Sequence, residues 1–408
     1  MTLRRVAVVA PCRTAVGKFL GTLAPLEAGE LGAVVLKALV ERSGIDPERV
    51  DDVVFAQGYG NGEAPAIGRW SWLAAGLPIS VPGYQLDRRC GSGLQAICNA
   101  AMMVQTGMSD VVVAGGVDSM SNVEHYATGL RQGTKMGDVT LHDRLTRGRL
   151  MSQPVERFGV ISGMIETAEN LAKDHGITRE AADEYAVRSH RNAAAAQEAG
   201  RFDAEIVPVA VPQRRGDPVI FDRDEGVRAD ADMESLGKLR AIESRTDPAA
   251  IVTAGNASQQ NDAAAACLLV AEDKLGELGL EPMAWFHSWS AAGCQPSRMG
   301  WGPVPATQRL FERTGLGWDD IGLVELNEAF AAQVLAVLKG WGWSADDSRM
   351  AMLNPNGSGI SLGHPIGATG VRILATLAHE LQRGDARYAL ETMCIGGGQG
   401  MAAIFERA

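Results

Sequence analysis

The sequence predicts an α/β protein made of two duplicated βαβ-rich halves with a separate segment inserted between them. Three observations predict it. The first is an internal match: Glu41-Arg42-Ser43-Gly44-Ile45, leading into residues 50–55, aligns without gaps on Glu312-Arg313-Thr314-Gly315-Leu316, leading into 321–326. The second is another match in the same order. Gly91-Ser92-Gly93 opens a helix that ends near Gly107 and runs into 111–114, and it aligns on Ala368-Thr369-Gly370, whose helix ends near Gly384 and runs into 388–390. Both matches keep one helix-turn-strand phase, so two copies of one module explain them better than coincidence. The third is a change of composition over 119–248, where charge and turn residues rise and amphipathic helices are expected at 163–172 and 179–199.

In chain order, residues 6–10 form a first strand, being shorter than the roughly 7–15 apolar residues of a signal-peptide core. The N-terminal half is expected over 1–118 with 249–275, the inserted loop domain over 119–248, and the C-terminal half over 276–408. The longest run of small and apolar residues, 263–271, falls well short of the ~20 that span a bilayer. A soluble, cytoplasmic protein is the expectation.

Thirty-eight Lys plus Arg face 49 Asp plus Glu, a net charge of −11 that disfavours nucleic acid or an anionic membrane as partner. A polyanionic ligand therefore needs a local pocket. The six cysteines show no pairing rhythm and no Cys-x-x-Cys, which argues for free thiols and against a disulfide framework or a metal site. Forty-eight glycines are about 12% of the chain against a usual ~7%. Many cluster where backbone must turn or approach closely.

Cys90 stands at the Gly-rich opening of a helix, where unpaired N–H groups can draw a thiol pKa down from about 8.5. His364 lies in the loop Asn354-Pro355-Asn356-Gly357-Ser358-Gly359-Ile360-Ser361-Leu362-Gly363-His364-Pro365, which leads into the duplicate of that helix. The alignment places Cys90 opposite Gly367, three residues past His364, so halves packed about a pseudo-two-fold axis bring thiol and imidazole together as nucleophile and base. Cys394 ends a strand before Gly396-Gly397-Gly398, a possible nest of N–H groups, and occupies the same edge of the second copy as a candidate proton carrier. Asn327, at the end of the strand from Leu323, offers a neutral amide to orient a water or a substrate oxygen. Taken singly, each of these residues also fits an ordinary buried or turn position.

Over essentially its whole length the sequence resembles the thiolases, the acetyl-CoA acetyltransferases and 3-ketoacyl-CoA thiolases. The resemblance rests on Cys90-Gly91-Ser92-Gly93, Thr253-Ala254-Gly255-Asn256-Ala257-Ser258, Met299-Gly300-Trp301-Gly302-Pro303-Val304-Pro305-Ala306, Asn327-Glu328-Ala329-Phe330, Gly363-His364-Pro365 and Cys394-Ile395-Gly396-Gly397-Gly398, in family order. It implies a layered α/β/α/β/α fold and an acyltransferase that cleaves 3-ketoacyl-CoA with CoA, or runs the reverse Claisen condensation. By the same resemblance Cys90 is acylated, His364 activates it, Cys394 moves the substrate proton and Asn327 positions a water. The N–H groups of Cys90 and Gly396 would form an oxyanion site.

The resemblance also assigns Arg228 and Ser235 to the nucleotide end of CoA and Ser258 to the pantetheine arm. Met164, Met299 and Phe330 fall on the acyl wall, although plain core packing suits the methionines equally well. No permanently bound cofactor or metal is implied; CoA and acyl-CoA are substrates. Residues 125–138 resemble the family's tetramer-forming loop, with an exposed loop on a dimer as the alternative. Gly163 stands where acetoacetyl-specific members usually carry histidine, Gln259-Gln260 stand where the family commonly has a small residue and an aliphatic one, and Ser358 replaces a usual glycine, so acyl chain length stays open. A decarboxylating ketoacyl synthase would pair its cysteine with two histidines; Asn327 in the second place, together with Cys394, speaks against it. A scaffold that binds acyl-CoA without turnover remains the non-enzymatic alternative.

Overall fold

The computed structural model describes residues 3–161 and 163–408. Residues 1, 2 and 162, which belong to the expected N-terminal half and insertion, lie outside that description. The first half contributes β1 (Val6–Thr14), α1 (Ala28–Ser43), β2 (Asp52–Ala56), β3 (Gly83–Leu86), α2 (Ser92–Gln105) and β4 (Val111–Ser119). The long helices α3 (Met164–His175) and α4 (Arg179–Glu198) follow in the insertion. Then come β5 (Asn261–Ala271), β6 (Ala284–Gly293), α5 (Pro303–Thr314), β7 (Ile321–Leu326), α6 (Ala331–Gly340), α7 (Ile366–Arg383), β8 (Tyr388–Ile395) and β9 (Gln399–Arg407).

The duplication is visible in the sheet order β7-β8-β9-β6-β1-β5-β4-β2-β3. Read outward from the β1/β6 pair, each half has the same sequence of strand senses: two antiparallel steps, then a parallel one. The halves join edge to edge through three antiparallel pairs, Val6 to Val8 against Phe286 to Ala284. Only the outermost strand differs. Where the first half pairs β3 with β2, the second has a single parallel bridge from Val324 to Leu353.

Three apolar clusters define the layers. One lies between α1 and the outer face of the first half, one between α5, α6 and the outer face of the second, and a central one around α2 and α7. Strands buried on both faces read as continuous apolar runs. In β5, Ala264, Ala266, Leu268 and Val270 face the first cluster while Ala265, Cys267, Leu269 and Ala271 face the centre, which accounts for the apolar run at 263–271. Among the described residues no helix is long and apolar enough to cross a membrane, and all six cysteines are free thiols.

The matched turns have matched physics. α1 ends at Gly44 with φ +69° and α5 at Gly315 with φ +72°, the left-handed conformation that glycine adopts without steric cost. The insertion is held on the first half by a buried charge cluster. Arg13 of β1 bonds Asp224 through two nitrogens at 2.6 and 2.9 Å and Glu205 at 2.6 Å, and Thr376 of α7 donates to Glu205 at 2.9 Å.

Candidate active site

α2 and α7 meet at their first turns. A Cβ built on Gly93 would sit 2.8 Å from the nitrogen of Gly370, and one on Gly370 only 2.1 Å from the nitrogen of Leu94. No other residue type fits either position, so the two helices cross backbone to backbone at equivalent points of the duplication. Asp118, at the end of β4, ties the crossing down: its carboxylate accepts from the N–H groups of Gly58 and Tyr59 in the first half and Gly367 in the second.

Cys90 occupies a 3-10 turn, Arg89–Gly91, that leads directly into α2. Arg89 before it is held at φ +52°, a strained value for a non-glycine residue. The following Gly91 packs so close to β8 that a Cβ would lie 2.4 Å from Cδ1 of Ile395. This contact sets Cys90 beside the turn after β8. The N–H of Gly396 and the N–H of Cys90 itself both act on the sulfur, together with the charge of Arg89. Their combined effect is nevertheless smaller than that of burial, which pushes the Cys90 thiol above its ordinary value. The expected depression of its pKa at the helix start is thus corrected: the donors are in place, but the surrounding low dielectric outweighs them.

His364 is buried, and its N–H bonds the side chain of Asn261 at 2.9 Å. Its Nδ1 lies 2.7 Å from the hydroxyl of Thr369, and the Asn327 amide nitrogen is 3.4 Å from Nε2. Burial, then the charges of Arg372 and Arg149, lower the imidazole pKa to about 3, so the ring is neutral at physiological pH. Cys394 is fully buried at the end of β8; burial, then the neighbouring Cys90 and Cys294, hold its thiol well above the usual range. A thiolate or an imidazolium alone is costly here. A proton moved from Cys90 to His364 would create both charges together, each offsetting the other.

Seven predicted residues line one cavity of about 420 Å³: Cys90, His364, Arg228, Ser258, Met164, Met299 and Phe330. Gly396 shares an adjoining cavity of about 60 Å³ with Cys90. Asn327 and Cys394 are wholly buried behind these walls. Ser235 is not among the lining residues; it is exposed, and its hydroxyl and N–H complete a capping box with Asp232 at a short helix, Met233–Gly237. In Asn327-Glu328 the neighbouring side chains take opposite tasks. Glu328 turns away to accept from Tyr185, Ser189 and Asn354, fastening α4 and the histidine loop to β7. Ser258 is fixed by its N–H donating to the carbonyl of Ala329 at 2.9 Å.

Thr369 and Asn261 had no place in the sequence reading, yet they orient His364. The duplication carried a signal for Thr369: it aligns with Ser92, whose hydroxyl accepts from the N–H of Arg88 at 2.7 Å and so braces the loop before its own helix. Asn261 left no comparable signal.

Residues 6–273 match the thiolase N-terminal domain and residues 280–407 the thiolase C-terminal domain. The chain belongs to the thiolase family. It is 48% identical over 405 residues to an acetyl-CoA acetyltransferase of Cupriavidus necator, covering 98% of this chain and 99% of that one. The beta-ketothiolase BktB of the same organism is 45% identical, with 99% of each covered. Among solved structures, the Bacillus anthracis acetyl-CoA acetyltransferase superposes with a TM-score of 0.93 at 40% identity, and human mitochondrial 3-ketoacyl-CoA thiolase with 0.91 at 36%, each over 100% of both chains. The thiolase fold expected from the sequence is thereby shown.

Proposed function

We propose that this thiolase, an acyltransferase using CoA thioesters, works through an acyl-Cys90 intermediate. In thiolysis the sulfur of Cys90 attacks the 3-oxo carbonyl carbon of a 3-ketoacyl-CoA as its proton passes to His364. The bond between C2 and C3 breaks, its electron pair becomes the enolate of acetyl-CoA, and Cys394 supplies the proton that completes acetyl-CoA. A second CoA thiol, giving its proton to the Cys394 thiolate, then attacks acyl-Cys90 and releases the shortened acyl-CoA, and the departing Cys90 sulfur takes back the proton held by His364. The reverse sequence is a Claisen condensation, in which Cys394 removes the α-proton.

The observation that carries this reading is that Cys90 and a neutral His364 line one cavity, with the N–H groups of Gly396 and of Cys90 itself both acting on the sulfur. Two N–H donors aimed at the reacting centre are what a developing oxyanion requires. Asn327 supports the role of water holder, since its amide oxygen is buried without a partner among the described residues while its nitrogen faces His364. Arg228 and Ser258 on the cavity wall suit the coenzyme side, and Met164, Met299 and Phe330 the acyl side. Ser235 is exposed and outside the cavity wall, so its assignment to the nucleotide end of CoA rests on the family resemblance.

We extend the proposal to a cytoplasmic homotetramer in fatty-acyl metabolism, with domain limits at 118/119, 248/249 and 275/276. The tetramer is supported by the loop over 125–138, almost wholly exposed, with Leu130 and Met136 open to solvent. Thiolysis of acetoacetyl-CoA is the test: wild type turns over and Cys90→Ser falls by several orders of magnitude with its fold intact. A Cys90→Ser rate near wild type, or a wild type that binds acyl-CoA without turnover, overturns the reading.

A further inference from the structure

The two cavities share a wall made of Cys90, Arg149, Met164 and Ile366. The larger continues from there past Ser258 and Arg228, and the smaller in another direction, towards Gly58, Tyr59 and Gly396. A thioester whose pantetheine arm runs along Ser258 and whose carbonyl meets Cys90 therefore presents its acyl chain to the shared wall. Two of that wall's side chains are apolar. Beside these two and Cys90, the fourth, Arg149, is a guanidinium, which stays charged at every working pH.

Arg149 is held in place but not neutralised. The hydroxyl of Tyr59 bonds it, and the Gln260 amide oxygen, facing inward, accepts from both terminal nitrogens at 3.1 and 3.3 Å. Both partners are uncharged. Arg144, on the same short helix Arg144–Leu150, is paired with Glu124 at 3.0 Å, whereas Arg149 enters no ion pair among the described residues. The Arg149 charge helps keep His364 neutral, but an unsubstituted fatty chain offers it no counter-charge, and a half-buried cation without one is costly. The phosphates of CoA cannot supply that charge, because the pantetheine arm keeps them far from the thioester. Glu243 also lines the larger cavity, but no ion pair joins it to Arg149 among the described residues, so an anion on the acyl group is the counter-charge that the shared wall can receive.

We propose that Arg149 is a specificity-determining residue that receives a terminal carboxylate on the acyl chain, so that the preferred substrate is the CoA thioester of a short 3-oxo dicarboxylic acid. The planar fork suits bidentate recognition of a carboxylate. The side cavity is small, about 60 Å³, which limits the spacer to a few carbons. The balance is that of any thiolysis: the 3-oxo diacid thioester and CoA give acetyl-CoA and the CoA monothioester of a diacid two carbons shorter. This inference rests on the thiolase reading.

The test compares 3-oxohexanedioyl-CoA with 3-oxohexanoyl-CoA, which differ by a carboxylate against a methyl group, in wild type, Arg149→Met and Arg149→Lys. Wild type favours the diacid in kcat/KM by roughly 100-fold, Arg149→Met brings the ratio close to one or below, and Arg149→Lys falls between, as expected for a point charge without the fork. A second measurement needs no variant: succinyl-CoA inhibits wild type at least about tenfold more tightly than butyryl-CoA, by the same carboxylate contact. A wild type that prefers the neutral chain, equal inhibition by the two products, or a ratio unmoved in Arg149→Met overturns the assignment of Arg149. Absence of turnover with both substrates and with acetoacetyl-CoA overturns the thiolase reading beneath it.

Discussion

Gly370→Ala tests whether the backbone crossing of α2 and α7 is what assembles the site. The added methyl would stand 2.1 Å from the nitrogen of Leu94, about 1.3 Å inside ordinary van der Waals contact, and the obstruction is backbone, which cannot rotate aside. The helices must separate by about an ångström at their first turns. Overpacking of this kind typically costs about 1–3 kcal/mol, which a chain with three buried clusters can absorb. Catalysis is more sensitive. Cys90 lies three residues before Gly93 and His364 six before Gly370, so the movement opens the gap between them, and about 1 Å of misplacement is worth roughly 100-fold in rate. Thiolysis of acetoacetyl-CoA by Gly370→Ala, read with its thermal midpoint, should show kcat/KM down by about two orders of magnitude while the protein remains folded. Full activity at a wild-type midpoint would refute the reasoning.

Further outcomes follow from the same contacts. Thr369→Val removes the partner of His364 Nδ1 and should lower kcat by about tenfold with a displaced pH profile, whereas Thr369→Ser restores both; unchanged pH profiles for the two variants would make Thr369 structural only. Arg13→Met leaves Asp224 and Glu205 buried without their cation, and urea unfolding should register a loss of about 3–5 kcal/mol. Burial lowers His364 to about 3, and burial with nearby arginine charge lowers His190 and His379 to about 4, each from 6.5. Depressed folded values mean that the unfolded chain binds more protons. Their stabilisation is therefore complete above pH 6.5 and is lost as the pH falls towards 4 and then 3. His379→Gln should flatten the pH dependence of unfolding across this window by up to one proton; an unaltered slope would contradict the assigned shift.

The sequence was most legible where the duplication spoke twice. Gly44 and Gly315 end equivalent helices with nearly equal positive φ, and the aligned openings at Ser92 and Thr369 both brace a loop with a hydroxyl. Cys90 and His364 stand out because the alignment relates their loops in space, and both line one cavity; Ser258 and Phe330 on the same wall are singled out by the family resemblance alone. The pKa of Cys90 was not legible, since local helix-end electrostatics can be read from sequence but the burial that outweighs it depends on packing by both halves. Arg149 and Asn261 escaped for a similar reason. Each acts across more than a hundred residues or through a cavity wall, and neither sits in a motif or in the repeated segments.

Transfer of isotopically labelled acetyl from acetyl-CoA, followed by acid quench and peptide mapping, addresses the convergence of the two halves most directly. In wild type and in Cys394→Ala the label should reside on Cys90. In Cys394→Ala the exchange of acetyl-CoA α-hydrogens with deuterated water should also be lost. Label on any other side chain, or α-hydrogen exchange that survives without Cys394, would contradict the account.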